Sequence, residues 1–310
     1  MLKSKDLLGL RDASAEEITL ILDTAEQMKQ AVKSGKKSFD LLKGKTLVTL
    51  FYENSTRTRS SFELAGKYLG ATEINISAAS SSVQKGETLI DTGKTLQALA
   101  TDFIVIRHPM GGAPALLAKT VGCSVLNGGD GMNEHPTQAL LDMLSIREEF
   151  GTLKGLKVAI LGDIKHSRVA KSNLFGLTKM GAEVWVYAPK TLIPKGFDEL
   201  GAHIATSREE CVAGANAVMG LRIQLERQSG GLFPSLSEYS RFYGVNDAVM
   251  KHADKNAIVV HPGPVNRGVE LTPQLIDGAT SRIEDQVTSG LAVRMAALKL
   301  LSEYREAHSC

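Results

Sequence analysis

Five consecutive residues, Ser55-Thr56-Arg57-Thr58-Arg59, put three hydroxyls and two guanidinium groups on one short stretch of chain. They follow an apolar run and lead into a helical pattern. A polar turn at a helix start offers unpaired backbone N–H groups and the positive end of the helix dipole. With hydroxyl donors and the planar guanidinium of Arg57, that makes an oxyanion cradle needing none of the glycines of a Walker loop. The competing reading is a plain helix cap by Ser55 or Thr56 with solvated arginines. Two arginines interleaved with three hydroxyls weigh against it.

Further polar groups follow other apolar runs: Arg107 and His108; Gly162, Asp163, His166 and Arg168; Arg222, Gln224, Glu226 and Arg227; and His261-Pro262-Gly263-Pro264. His135-Pro136-Thr137-Gln138 comes after a glycine-rich turn, Asn127-Gly128-Gly129-Asp130-Gly131. His135 and Gln138 are three apart, so both aim at one point if a helix begins there. Residues 80–87 form a hydroxyl-rich loop with one lysine, Lys85, which alone reads as surface loop. Leu161-Gly162-Asp163 starts like a dinucleotide-binding unit, but the G-x-G-x-x-G spacing is absent, which argues against NAD. Asp163 is expected as a hinge or capping acid.

The elements that must position these groups alternate. Apolar runs at 45–52, 103–106, 157–161, 184–187, 217–221 and 257–260 suit strands buried on both faces, as in parallel sheets. Helical patterns lie between them at 60–70, 136–150 and 167–180, and a last one at 290–304. The order predicts an α/β fold of two domains, each with a central, mainly parallel sheet flanked by helices. The expected boundaries are 1–134 with a C-terminal helix at about 290–310 for one domain, 150–289 for the other, and a joining helix at 135–149. In open α/β sheets ligands bind outside the carboxyl ends of the strands. Arginines at several such ends imply a shared anionic ligand.

The whole chain sets limits. Its 310 residues suit two domains, and 43% hydrophobic with 23% charged residues is ordinary for a globular protein. A net charge of +2 marks the surface for neither nucleic acid nor membrane. No basic-then-apolar signal pattern opens the chain, and no run is long and apolar enough to span a bilayer. Cys123, Cys211 and Cys310 are too scattered for a disulfide framework or paired metal ligands. A cytoplasmic location with no metal and no cofactor is the expectation.

Taken in order, S-T-R-T-R, S-x-x-x-K-G-E at 81–87, R-H-P at 107–109 and H-P-T-Q at 135–138 resemble the aspartate/ornithine carbamoyltransferase family. The resemblance runs over essentially the whole chain. In the second half, H-S-R at 166–168 and L-R-x-Q-x-E-R at 221–227 are similar to the aspartate-using branch. The ornithine branch is expected to carry S-M-G and H-C-L-P, and neither is present. Charge agrees: aspartate needs cations, which Lys85, Arg168 and Arg222 supply, whereas ornithine needs an acidic partner for its amine. The loop reads H-P-G-P-V-N-R where some members have H-P-L-P-R; Gly263 removes a side chain and leaves the backbone contacts.

The resemblance implies carbamoyl transfer from carbamoyl phosphate to the amine of L-aspartate, an early step of pyrimidine synthesis. It assigns Ser55, Thr56, Arg57 and Thr58 to the phosphate, and Thr58, Arg107 and His135 to the carbonyl oxygen. It gives the carbamoyl amide to Gln138 and to the backbone at Gly263 and Pro264. Aspartate falls to Lys85, Arg168, Arg222 and Gln224. It implies closure of two domains on their substrates, and a homotrimer in which Ser81 and Lys85 enter a neighbour's site. A larger assembly with regulatory or dihydroorotase subunits stays open. The alternatives are a carbamoyltransferase for another acceptor such as ornithine, a non-catalytic carbamoyl-phosphate-binding subunit, and a nicotinamide-dependent dehydrogenase.

Overall fold

A computed structural model of the chain describes residues 1–77, 86–224 and 235–308, so Ser81, Lys85, Glu226, Arg227 and Cys310 lie outside the described residues. The chain forms two compact units, Met1–Leu141 with Thr288–Cys310, and Asp142–Val287.

The first unit carries α1 (Ala15–Lys33), β1 (Thr46–Phe51), α2 (Thr56–Leu69), β2 (Thr72–Ser77), α3 (Leu89–Ala98), β3 (Phe103–His108), α4 (Ala113–Thr120) and β4 (Ser124–Asp130). Its sheet is parallel throughout, in the order β2-β1-β3-β4. The chain leaves β1 to one side for β2 and returns to the other side for β3. The order therefore reverses between β1 and β3, where a crevice opens at the carboxyl ends. Val48, Leu50, Ile104, Ile106, Leu117 and Val125 form the core beside these strands. Such two-sided burial is why the strands read as continuous apolar runs.

Helix α5 (Pro136–Phe150) crosses the division between the units in sequence, as does α11 (Ile283–Ala307). The second unit holds β5 (Lys157–Gly162), α6 (Arg168–Lys179), β6 (Glu183–Tyr187), β7 (Ala202–Ile204), α7 (Arg208–Val212), β8 (Ala217–Leu221), α8 (Leu236–Tyr243), α9 (Asp247–Met250), β9 (Ile258–Val260) and α10 (Pro273–Asp277). Its parallel sheet runs β7-β6-β5-β8-β9, with the reversal between β5 and β8. Ala159, Leu161, Val218, Val259 and Leu271 anchor one face of its core. Two α/β units with parallel sheets are thus what the sequence pattern predicts.

Several local expectations change. Helix α2 starts at Thr56, four residues before the expected 60, so Thr56 to Arg59 form its first turn rather than a turn ahead of it. Strand β3 continues through Arg107 and His108 instead of ending at 106. The stretch 127–131, expected as a glycine-rich turn, is largely strand β4. A Cβ at Gly128 would lie 3.2 Å from the Ile106 carbonyl oxygen, so glycine serves close strand approach there rather than reversal. The final helix begins at Ile283, seven residues earlier than expected. Its later part packs in the first unit: Lys29 Nζ donates to Ser289 Oγ (2.9 Å), Arg294 Nη1 to Ser61 Oγ (2.9 Å) and Arg305 Nη1 to the Gly122 carbonyl (3.0 Å).

Candidate active site

In the first unit, Ser55 is the N-cap of α2, with φ −159° and ψ 88°, and its side chain makes no capping hydrogen bond. Its carbonyl accepts from Arg59 N (3.1 Å), so the helix is wound from its first turn. The amides ahead of Arg59 have no carbonyl a turn earlier within the helix. No acidic side chain sits in that turn. At other helix starts Ser14, Thr88, Ser167, Ser207 and Ser235 each accept a backbone N–H, whereas Gly112 and Thr272 make no side-chain cap at α4 and α10. The uncapped α2 start also carries Arg57 and Arg59 in its first turn, and so has the features an anion site requires. Thr58 is buried, Arg57 is exposed, and Arg59 leans along the helix to Glu63 (3.9 Å).

Arg107 stands beside this turn in register. It pairs with Phe51 across the β1–β3 ladder, and Tyr52 N donates to its carbonyl (2.8 Å). Its guanidinium is held by Glu53 (Nε to Oε2, 3.3 Å) and the Gly128 carbonyl (Nη1, 3.2 Å). Next to it, His108 packs on Tyr52 with ring centroids 4.6 Å apart and accepts from Met110 N at Nδ1 (3.0 Å). Burial holds the His108 pKa below its usual value.

His135 and Gln138 lie at the start of α5, as their spacing requires. His135 is 4% exposed and Gln138 8%, and Gln138 N donates to the His135 carbonyl (3.0 Å). The polar cluster behind them went unread in the sequence. Asp130 accepts from Gly112 N (2.7 Å), Asn133 Nδ2 (3.0 Å), Glu134 N (3.0 Å) and Asn127 Nδ2 (2.8 Å). Glu134 in turn accepts from Leu10 N (2.6 Å) and Arg11 N (3.2 Å). Buried carboxylates saturated by donors fix the backbone on either side of them. The signal in the sequence was N-G-G-D-G-x-N-E, acids and amides among glycines.

In the second unit the polar residues gather at the β5–β8 reversal. Asp163 is fully buried. It accepts from His166 N (3.2 Å), His166 Nδ1 (2.8 Å) and Gln224 N (3.2 Å). It is therefore a capping acid that ties the end of β5 to the end of β8. Glycine precedes it by necessity: at φ 137°, a Cβ on Gly162 would lie 2.3 Å from the Leu221 carbonyl oxygen. Arg168 is the first residue of α6 and is 4% exposed, behind Ser167, whose hydroxyl caps Ala170 N (3.1 Å). Arg222 is half-buried, with Nη2 3.4 Å from Gln224 Oε1.

The His261–Pro264 segment leaves β9. Its Gly263–Pro264 peptide is cis. Gly263 N donates to His261 Nδ1 (2.8 Å), and His261 Nε2 lies 3.0 Å from Glu270 Oε1. Among the described residues no group of three His, Cys, Asp or Glu side chains is placed to hold a metal ion.

Each unit thus places arginines and polar groups at the reversal of a parallel sheet, which defines a two-part α/β protein with candidate anion sites at its strand ends. Residues 5–148 match the family model for the aspartate/ornithine carbamoyltransferase carbamoyl-P binding domain, and residues 154–301 match the model for the Asp/Orn binding domain. The chain belongs to the aspartate/ornithine carbamoyltransferase family. It is 65% identical over 301 residues to the aspartate carbamoyltransferase catalytic subunit of Ruminiclostridium cellulolyticum, covering 97% of this chain and 96% of that one. It is 61% identical over 302 residues to that of Acetivibrio thermocellus, covering 97% of each. Among solved structures it is similar to aspartate transcarbamoylase from Trypanosoma cruzi in complex with N-(phosphonacetyl)-L-aspartic acid, with a TM-score of 0.88, 31% identity and 96% of each chain covered. Ornithine carbamoyltransferase from Pyrococcus furiosus is similar at a TM-score of 0.84 and 34% identity, over 94% of this chain and 95% of that one. The backbone alone therefore does not separate the two acceptors.

Proposed function

We propose that this chain is an aspartate carbamoyltransferase, transferring the carbamoyl group of carbamoyl phosphate to L-aspartate in the route to pyrimidines. One observation carries the choice of acceptor. Asp163, the carboxylate at the ends of β5 and β8, has its oxygens engaged by His166 and Gln224, while Arg168 and Arg222 stand at the same strand ends. Such a site suits the carboxylates of aspartate and offers little to the side-chain amine of ornithine. High whole-length identity to relatives named for aspartate supports it.

The phosphate sits on the first-turn amides of α2 with Ser55, Thr56, Arg57 and Thr58. The neutral aspartate amine attacks the carbonyl carbon, and the C=O electrons move onto oxygen. Thr58, Arg107 and His135 donate to that oxyanion, each well-placed donor contributing about 3–4 kcal/mol to the barrier reduction. Collapse breaks the carbon–phosphate-oxygen bond. Phosphate leaves with the electron pair and accepts the amine proton. Gln138 and the backbone at Gly263 and Pro264 hold the carbamoyl amide. Arg168, Arg222, Gln224 and Lys85 hold aspartate. Binding both reactants supplies much of the remaining rate.

The domain at 1–134 with 290–310 serves carbamoyl phosphate, the domain at 150–289 serves aspartate, and the helix at 135–149 joins them. The chain works in the cytoplasm as a homotrimer, with Ser81 and Lys85 serving a neighbouring subunit. Buried free thiols at Cys123 and Cys211 suit a reducing compartment. Aspartate and ornithine assayed side by side with carbamoyl phosphate test the acceptor. Carbamoyl-aspartate is the expected product, and turnover with ornithine alone would overturn the reading.

A further inference from the structure

We propose that Glu270 is a positioning residue for carbamoyl-group recognition, acting through His261 on the Gly263–Pro264 backbone. The proposal rests on the reading that this backbone accepts from the carbamoyl amide. Glu270 and His261 are each 2% exposed and close the two ends of one surface loop. Glu270 Oε1 accepts twice, from Asn266 N (2.7 Å) and from His261 Nε2 (3.0 Å). Its own carbonyl accepts from Val245 N (3.0 Å), so the acid is stitched to the segment that follows α8 and does not drift with the loop.

The other end of the loop is equally fixed. His261 N donates to Gln286 Oε1 (2.9 Å), Gln286 Nε2 to Asp142 Oδ1 (2.7 Å), and Asn173 Nδ2 to Asp142 Oδ2 (2.8 Å). Between the two anchors the Gly263–Pro264 peptide projects, with Pro264 exposed.

The histidine works as a one-way bridge. Gly263 N–H donates to Nδ1, so Nδ1 must hold a lone pair, and the ring proton must sit on Nε2. Glu270 enforces that tautomer, because a carboxylate oxygen accepts from Nε2 and cannot donate to it. Without Glu270 the ring is at liberty to carry its proton on Nδ1, where it opposes the Gly263 N–H donor. Gly263 has φ 65° and no side chain to hold it. Its peptide then turns, and with it the carbonyls that face the substrate amide.

The test compares equilibrium binding of carbamoyl phosphate and acetyl phosphate, which carries a methyl in place of the amide, to the full chain without aspartate. The wild type should prefer carbamoyl phosphate by about tenfold, the size of two modest hydrogen bonds. Glu270→Ala should cut that preference to about twofold or less with acetyl phosphate affinity nearly unchanged. Glu270→Asp, too short to reach both donors, should do the same and decides the matter if the alanine variant does not fold. Glu270→Gln retains an acceptor oxygen and should restore most of the preference. A full preference in Glu270→Asp, or equal losses for both phosphates, would overturn the role given to Glu270. A wild type without preference would instead sink the reading that the loop contacts the amide.

Discussion

Replacing Arg57 by alanine separates catalysis from folding. Arg57 is exposed in the first turn of α2, and the helix is held by the buried Phe62, Ala65 and Leu69 on its other face. Truncating an exposed side chain changes stability by about 0.5 kcal/mol or less, and alanine is the better helix former. Loss of one preorganised donor to a reacting anion costs about 3–4 kcal/mol, a rate loss of roughly two to three orders of magnitude. Arg59, two residues on, is the internal control. Its partner is Glu63 at 3.9 Å on the same helix, a half-buried i,i+4 pair contributing about 0.3–0.5 kcal/mol. Colorimetric assay of carbamoyl-aspartate, with thermal melts on the same samples, should find Arg57→Ala nearly inactive and Arg59→Ala nearly normal, both folded. Near-normal turnover in Arg57→Ala, or equal losses in both variants, would refute the cradle.

Three other outcomes follow from the same geometry. Arg222→Ala should raise the aspartate KM about tenfold or more while leaving the carbamoyl phosphate KM little changed; steady-state kinetics with each substrate varied would expose an unchanged aspartate dependence. Gly162→Ala should destabilise the second unit by roughly 3 kcal/mol or more, since its Cβ would meet the Leu221 carbonyl at 2.3 Å in a left-handed conformation; urea unfolding measures it, and a wild-type midpoint contradicts it. Burial raises the Glu73 carboxyl from 4.5 to about 7, so its contribution to stability is complete below the unfolded value and is lost as pH rises through about 7. Glu73→Gln should therefore gain in melting temperature on the wild type between about pH 5 and 8, modestly because the side chain is partly exposed, and a pH-independent difference would sink this account.

The strands that carry the site were legible because they are buried on both faces. Lys157 to Leu161 and Ala217 to Leu221 read as apolar runs for the same reason that they lie centrally in their sheet. Strand β2 was not legible: at the sheet edge, T-E-I-N-I-S has no fully buried residue and no apolar signature. Strand β4 hid behind glycines that serve close packing, not turning. Arginine and hydroxyl types pointed to anion binding directly. Asp163 and Glu270 were harder, because their roles depend on which N–H groups the fold brings to them from 61 and 4 residues away. A lone acid in a sequence does not disclose its partners.

The most direct measurement is a crystal structure of the chain with N-(phosphonacetyl)-L-aspartic acid. The account predicts the phosphonate on the backbone amides of Thr56 to Thr58 with Arg57 beside it, and the aspartate carboxylates on Arg168 and Arg222. A phosphonate bound away from the start of α2, or carboxylates that touch neither arginine, would contradict it.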